Sequence, residues 1–142
     1  MDPKWKDAYY NLGTSFTQSG ETGKAVSAFK KALELDPRNT DYHNSLGYAY
    51  RDMDMDSMAK FHFEKAIKIS QFADSYVNLS SLYDKQGERE KTFEILCEAV
   101  TANRENIAAR GNLLLYSLDA QVYHMNSMKH PMPDMLVIQI LK

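Results

Sequence analysis

The residues best able to do chemistry in this chain are an acidic run, four histidines, one cysteine and a column of amides. Arg51-Asp52-Met53-Asp54-Met55-Asp56 alternates carboxylates as calcium loops do, because a hard cation needs several oxygens at spaced positions. It lacks the central glycine and closing glutamate of such a loop, so the expectation is a solvated turn whose methionines pack inward. His43, His62, His124 and His130 have no metal-ligand spacing with one another or with Cys97. Cys97 has no basic neighbour in sequence to stabilise its thiolate, and it reads as structural. There is no Gly-rich phosphate loop and no nucleophile elbow. The expectation is a protein without catalytic residues, metal or cofactor. What remains is recognition: Asn11, Asn78 and Asn112 each precede a leucine, with Ser45 before Leu46, and an amide both donates to and accepts from a peptide backbone.

The elements that must position these residues are helices. On Tyr9, Leu12, Gly13 and Phe16 the apolar spacing is helical, and Ala25, Phe29, Ala32, Leu33 and Leu35 repeat the pattern on a second stretch. Gly20 and Gly23 break the chain between them, and Pro37 ends the unit by forcing the preceding residue out of helical geometry. Two short helices cannot bury such faces alone, and the chain supplies copies. A shift of 34 residues puts Leu46, Gly47 and Tyr50 on Leu12, Gly13 and Phe16, and Ala59, Phe63 and Ala66 on Ala25, Phe29 and Ala32. A further shift of 33 brings Leu79, Ser80 and Tyr83, then Thr92, Leu96 and Ala99, to the same columns. His43 falls in the column of Tyr9 and Tyr76, which favours packing over catalysis.

These residues resemble the tetratricopeptide repeat family, whose signature is an aromatic, Leu-Gly and Tyr on the first helix, with Ala, Phe, Ala and Pro on and after the second. The resemblance implies an all-α fold, a right-handed α-solenoid of three helical hairpins plus a C-terminal capping helix. The expected division is one domain over 1–142, with repeats at about 6–39, 40–72 and 73–106, the capping helix at about 107–128 and an apolar tail at 129–142. The third repeat departs from the signature at Ser80, Thr92 and Arg104. Met1-Asp2-Pro3 sits 34 residues before Leu35-Asp36-Pro37, so either the natural protein starts there or the chain is a piece of a longer array. Trp5 is expected to cover an exposed hairpin end.

In this family the first helices line a concave groove that binds peptide segments. By column, the groove residues implied here are Tyr10, Asn11, Thr14, Asn44, Ser45, Tyr48, Val77, Asn78, Ser81 and Asn112. The asparagine column is similar to the ladder in the peptide-binding arm of the nuclear and cytosolic N-acetylglucosaminyl transferases, broken at Ser45. Asp7, Asp41 and Asp74 share another column, where starting a helix is the favoured role and facing the groove is compatible with it. The clamp that chaperone-binding members use for a C-terminal carboxylate is absent, since its places hold Tyr10, Thr14, Ser45, Asp74 and Asn78. Ligands are therefore expected to be neutral or basic segments of a protein partner.

Composition narrows the rest. A net charge of -2 leaves no nucleic-acid footprint, and no apolar run is long enough to cross a bilayer. One cysteine and no leader-type segment point to a reducing compartment, the cytoplasm. The expected function is an adaptor or scaffold. The alternatives are a docking arm of a larger enzyme, or self-association through Met135 to Lys142, whose sequence MLVIQILK is the most apolar stretch.

Overall fold

The computed structural model describes residues 4–70, 73–102 and 107–127. Seven helices follow in order among them: α1 Lys4–Gln18, α2 Thr22–Leu35, α3 Thr40–Asp52, α4 Asp56–Ile69, α5 Ala73–Lys85, α6 Arg89–Ala102 and α7 Ile107–Ser127. They pair as hairpins α1/α2, α3/α4 and α5/α6, each stacked on the next, with α7 against α6 and α5. The result is an all-α helical repeat solenoid.

The three hairpin turns share one chemistry. Gly20, Asp54 and Gly87 have φ of 75°, 55° and 73°, the left-handed region in which a helix is ended. In each, the following amide bonds back five residues, from Glu21 to Phe16 O, Met55 to Tyr50 O and Glu88 to Tyr83 O, at 2.8, 2.9 and 2.9 Å. Aspartate tolerates this conformation better than most side chains, which is how the second turn dispenses with glycine. Met53 and Met55 do not pack inward there; both are exposed, because the turn projects beyond the stacked helices. The acidic turn instead meets the next hairpin, where Lys85 Nζ lies 2.8 Å from Asp54 and 3.4 Å from Asp56.

Packing follows the repeat columns. Ala25, Ala32, Ala59, Phe63 and Ala66 are fully buried, and Phe29, Leu96 and Ala99 nearly so. Small residues let the paired helices approach, and the aromatic rings fill the space this leaves. Leu46, Leu79 and Leu113 are 1%, 1% and 0% exposed, each covered by the preceding hairpin, whereas Leu12 is 46% exposed. Among the described residues α1 has no hairpin before it, so the face expected to be packed is open. Trp5 is exposed, its ring 6.4 Å from that of Tyr9 on the same helix. Met1 to Pro3, Arg104 and the tail 129–142 lie outside the described residues.

Asp7, Asp41 and Asp74 stand in the first turns of α1, α3 and α5, although the side-chain cap of α3 is Asn39, which accepts from the amide of Tyr42. Asp7 has a further role: it accepts from the Tyr42 hydroxyl at 2.8 Å, tying the first hairpin to the second.

Candidate functional site

Tyr10 and Thr14 from α1 and Asn44, Ser45 and Tyr48 from α3 border one hollow of about 220 Å³. The repeat makes this possible, because residues 34 apart recur on the same side of successive first helices. Thr17, Gln18 and Phe29 complete the lining. Phe29 belongs to the second helix of its hairpin and reaches the hollow across Gly13, where a methyl group would stand 2.5 Å from its ring. Column reasoning confined to first helices misses it; the Gly13–Phe29 pairing is the signal that finds it.

Within the hollow the aromatic groups are held by one another. Tyr10 stacks on Tyr42 with centroids 4.9 Å apart and meets Phe29 at 5.7 Å. Ser45 Oγ donates to the Tyr10 hydroxyl at 3.4 Å. Tyr48 is exposed and carries the Arg51 guanidinium over its ring at 4.3 Å, a cation–π contact that helps to hold the ring at the rim. Burial first, then the Asp7 carboxylate, pushes the Tyr42 phenol well above its ordinary range, so it stays a donor across the physiological span.

One member of the asparagine column is partly satisfied by an amide of the neighbouring column. Asn78 Nδ2 donates to Asn44 Oδ1 at 3.2 Å, so these two amides bridge α5 and α3. Asn44 still offers two N–H donors and Asn78 a carbonyl acceptor. Asn11 is exposed and borders neither hollow described here, and Val77 packs half-buried against the cluster of Tyr76, Leu96 and Leu113. Ser81 and Asn112 line a second, larger hollow of about 570 Å³ between α5, α6 and α7, with Ser80, Asp84, Leu96, Leu115, Tyr116 and Leu118. Of the ten column residues, five line the first hollow and two the second; Asn78 is joined to the first by its bond to Asn44, and Asn11 and Val77 border neither.

The other candidates for chemistry are placed differently. Burial, with Glu94 and Glu98 beside it, raises the Cys97 thiol above its ordinary pKa, the reverse of a nucleophile's environment. Among the described residues no group of three or more His, Cys, Asp or Glu side chains is assembled to hold a metal ion. No helix among them is long and apolar enough to cross a membrane.

Comparison with known proteins agrees with this architecture. The family pattern described as TPR repeat matches residues 13–54, and that described as tetratricopeptide repeat matches 40–72 and 73–106. The type IV pilus assembly protein PilF of Pseudomonas aeruginosa is 30% identical over 95 residues, which are 66% of this chain and 38% of PilF. Anaphase-promoting complex subunit 3 of Schizosaccharomyces pombe is 22% identical over 140 residues, 94% of this chain and 21% of that protein. The chain thus spans well under half the length of either relative. Among solved structures, the first TPR of Spaghetti (RPAP3) bound to the HSP90 peptide SRMEEVD has a TM-score of 0.73 at 15% identity, covering 85% of this chain and 97% of that one. With its three interlocked hairpins and the matching patterns across them, the chain belongs to the tetratricopeptide repeat family.

Proposed function

We propose that this protein is a non-catalytic interaction scaffold that binds a peptide segment of a partner in the hollow between α1 and α3. Membership of a family of protein–protein interaction modules supports the general role. The observation that carries the specific one is the convergence of Tyr10, Thr14, Asn44, Ser45 and Tyr48 on a single hollow. It combines an aromatic floor for an apolar side chain with amide and hydroxyl groups for a backbone, the combination peptide sites use. Ser81 and Asn112, in the larger hollow toward α7, extend the same track. Asp7, Asp41 and Asp74 are exposed on the first helices, which favours a neutral or basic ligand over an acidic one. A cytoplasmic location is proposed with it, on the single half-buried cysteine.

Peptides selected by display against the full chain, then measured by calorimetry, test the site. Tyr48→Ala and Asn44→Ala are each expected to weaken a selected peptide about tenfold. Unchanged affinity in both would remove the hollow as the binding site. The acidic peptide SRMEEVD is expected to give no saturable heat, and a micromolar complex would overturn the charge preference.

A second reading, association between copies at the α7 end, is favoured by Leu114, Leu115 and Leu118, which are exposed together. Light scattering over a concentration series decides it. A mass that rises with concentration, and no longer does so in Leu115→Asp/Leu118→Asp, supports association; a constant monomer mass ends it.

A further inference from the structure

His43 on α3 and His62 on α4 meet inside the second hairpin with their Nδ1 atoms 2.9 Å apart. His43 Nε2 lies 3.1 Å from the carbonyl oxygen of Pro37. A carbonyl only accepts, so His43 carries its hydrogen on Nε2 and presents a bare Nδ1 to its neighbour. His62 therefore carries its hydrogen on Nδ1 and donates it to His43. One hydrogen lies between two neutral rings, and each ring is held in a single tautomer.

The surroundings favour neutrality. The residues are 9% and 8% exposed. His62 stacks on Tyr50 at 5.6 Å and meets Phe61 edge-on at 5.1 Å. The charges that face the pair are cations, Lys30 of α2 toward His62 and Lys65 of α4 toward His43, and Lys30 also lies over the Tyr50 ring. Neither ring is hydrogen-bonded or ion-paired to a carboxylate among the described residues. One added proton, on His62 Nε2, would place an uncompensated charge in this site. A second would put hydrogens on both Nδ1 atoms at 2.9 Å and abolish the bond between the rings.

We propose that the His43–His62 pair is an acid-released latch: neutral, it holds α3 against α4, and protonated, it drives His62 out of their interface and opens the second hairpin. The inference is independent of the peptide site, although α3 also carries Asn44, Ser45 and Tyr48, so opening displaces one wall of the hollow. Burial first, then His43 and Lys30, lowers His62 from an ordinary imidazole value to about 4, and burial lowers His43 as well. The opened state takes up the proton more readily than the closed one. The open fraction is therefore lowest above pH 7 and rises as pH falls below about 6.5, by roughly tenfold per pH unit for each proton taken up.

Hydrogen–deuterium exchange of the full chain at pH 7.5, 6 and 5, corrected for the intrinsic pH dependence of amide exchange, tests the latch. Peptides from α3 and α4 are expected to open about tenfold more per pH unit below 6.5, relative to those from α6. In His43→Tyr/His62→Ile, which copies Tyr76 and Ile95 of the third hairpin, that acceleration is expected to vanish. Acceleration that is absent, equal in all helices, or retained in the double variant overturns the proposal. Should the variant not fold, nitrogen NMR of the unaltered rings decides. Nε2–H on His43 and Nδ1–H on His62 at pH 7, with both rings still neutral at pH 6, supports the latch. Free titration of both near pH 6.5 overturns it.

Discussion

The ring of Phe63 occupies the space in which a side chain on residue 47 would begin: a methyl group on Gly47 would stand 2.7 Å from Phe63 Cε1 and 3.2 Å from the carbonyl oxygen of Ala59. Gly13 and Phe29 repeat the relationship in the first hairpin. In the third hairpin both partners change together, to Ser80 and Leu96, each buried. The larger residue on one helix is matched by a smaller one on the other, which is what a fixed interhelical distance demands.

Gly47→Ala is accordingly expected to cost about 1–3 kcal/mol, because Phe63 is locked between α3 and α4 and cannot retreat. Gly47→Ser/Phe63→Leu, which transplants the pair of the third hairpin, should recover part of that loss. Gly111→Ala is the control: open space surrounds Gly111 on α7, so alanine there should be neutral or add up to about 1 kcal/mol of helix stability. Urea midpoints of the variants give the comparison, and a neutral Gly47→Ala would show that the helices separate freely.

The bond from Tyr42 to Asp7 joins the first two hairpins, at a site where Tyr42 is buried. Removing the hydroxyl in Tyr42→Phe is expected to cost about 1 kcal/mol, near the net worth of one hydrogen bond in water. Asp7→Ala should lose less in the Tyr42→Phe background than in the parent. A double-mutant cycle reads the difference, and a coupling within error of zero would mean that the contact adds nothing to the stacking of the rings.

Global stability should carry the proton balance of the histidine pair. A histidine whose pKa is lowered by folding stabilises the folded chain fully above its unfolded value and loses that contribution as pH falls toward the folded value. For His62 the window runs from about 6.5 down to about 4, and the loss is on the order of 3 kcal/mol at its lower end. Unfolding free energies at pH 7.5 and 5 should differ accordingly, and His43→Tyr/His62→Ile should flatten the profile. Equal stability at the two pH values would mean that the rings accept protons without opening anything.

The solenoid was legible because its determinants are periodic. Leu46, Leu79 and Leu113, or Ala25, Ala59 and Thr92, are each buried by the same neighbour in successive repeats, so the period alone predicts their environment. What a single repeat does differently leaves no such trace. His62 stands in a column with Ala28 and Ile95, and nothing in that column announces a hydrogen-bonding partner for His43. Asp7 stands in the first turn of α1, as its column with Asp41 and Asp74 implies, but its bond to Tyr42 was not legible, because the column of Tyr42 holds Ala8 and Ser75. The hollow was legible on its first-helix side, where Tyr10, Asn44 and Tyr48 recur in register, and not on its floor, which Phe29 reaches only because Gly13 is small. Leu12 shows the limit from the other direction: its column predicts burial, and burial needs a neighbour that α1 does not have among the described residues.

Helix packing in this chain is denser within hairpins than between them, and it runs mainly between elements adjacent in sequence. Mechanically, that makes the molecule a row of stiff links joined in series by softer hinges. A force applied along the stack is transmitted undiminished through every hinge, and each yields according to its own compliance. Under load, the stack is expected to part at α2/α3 or α4/α5, or α7 to leave α6, before any hairpin unzips. The molecule then behaves as a spring whose curvature changes by small rotations while its links keep their shape.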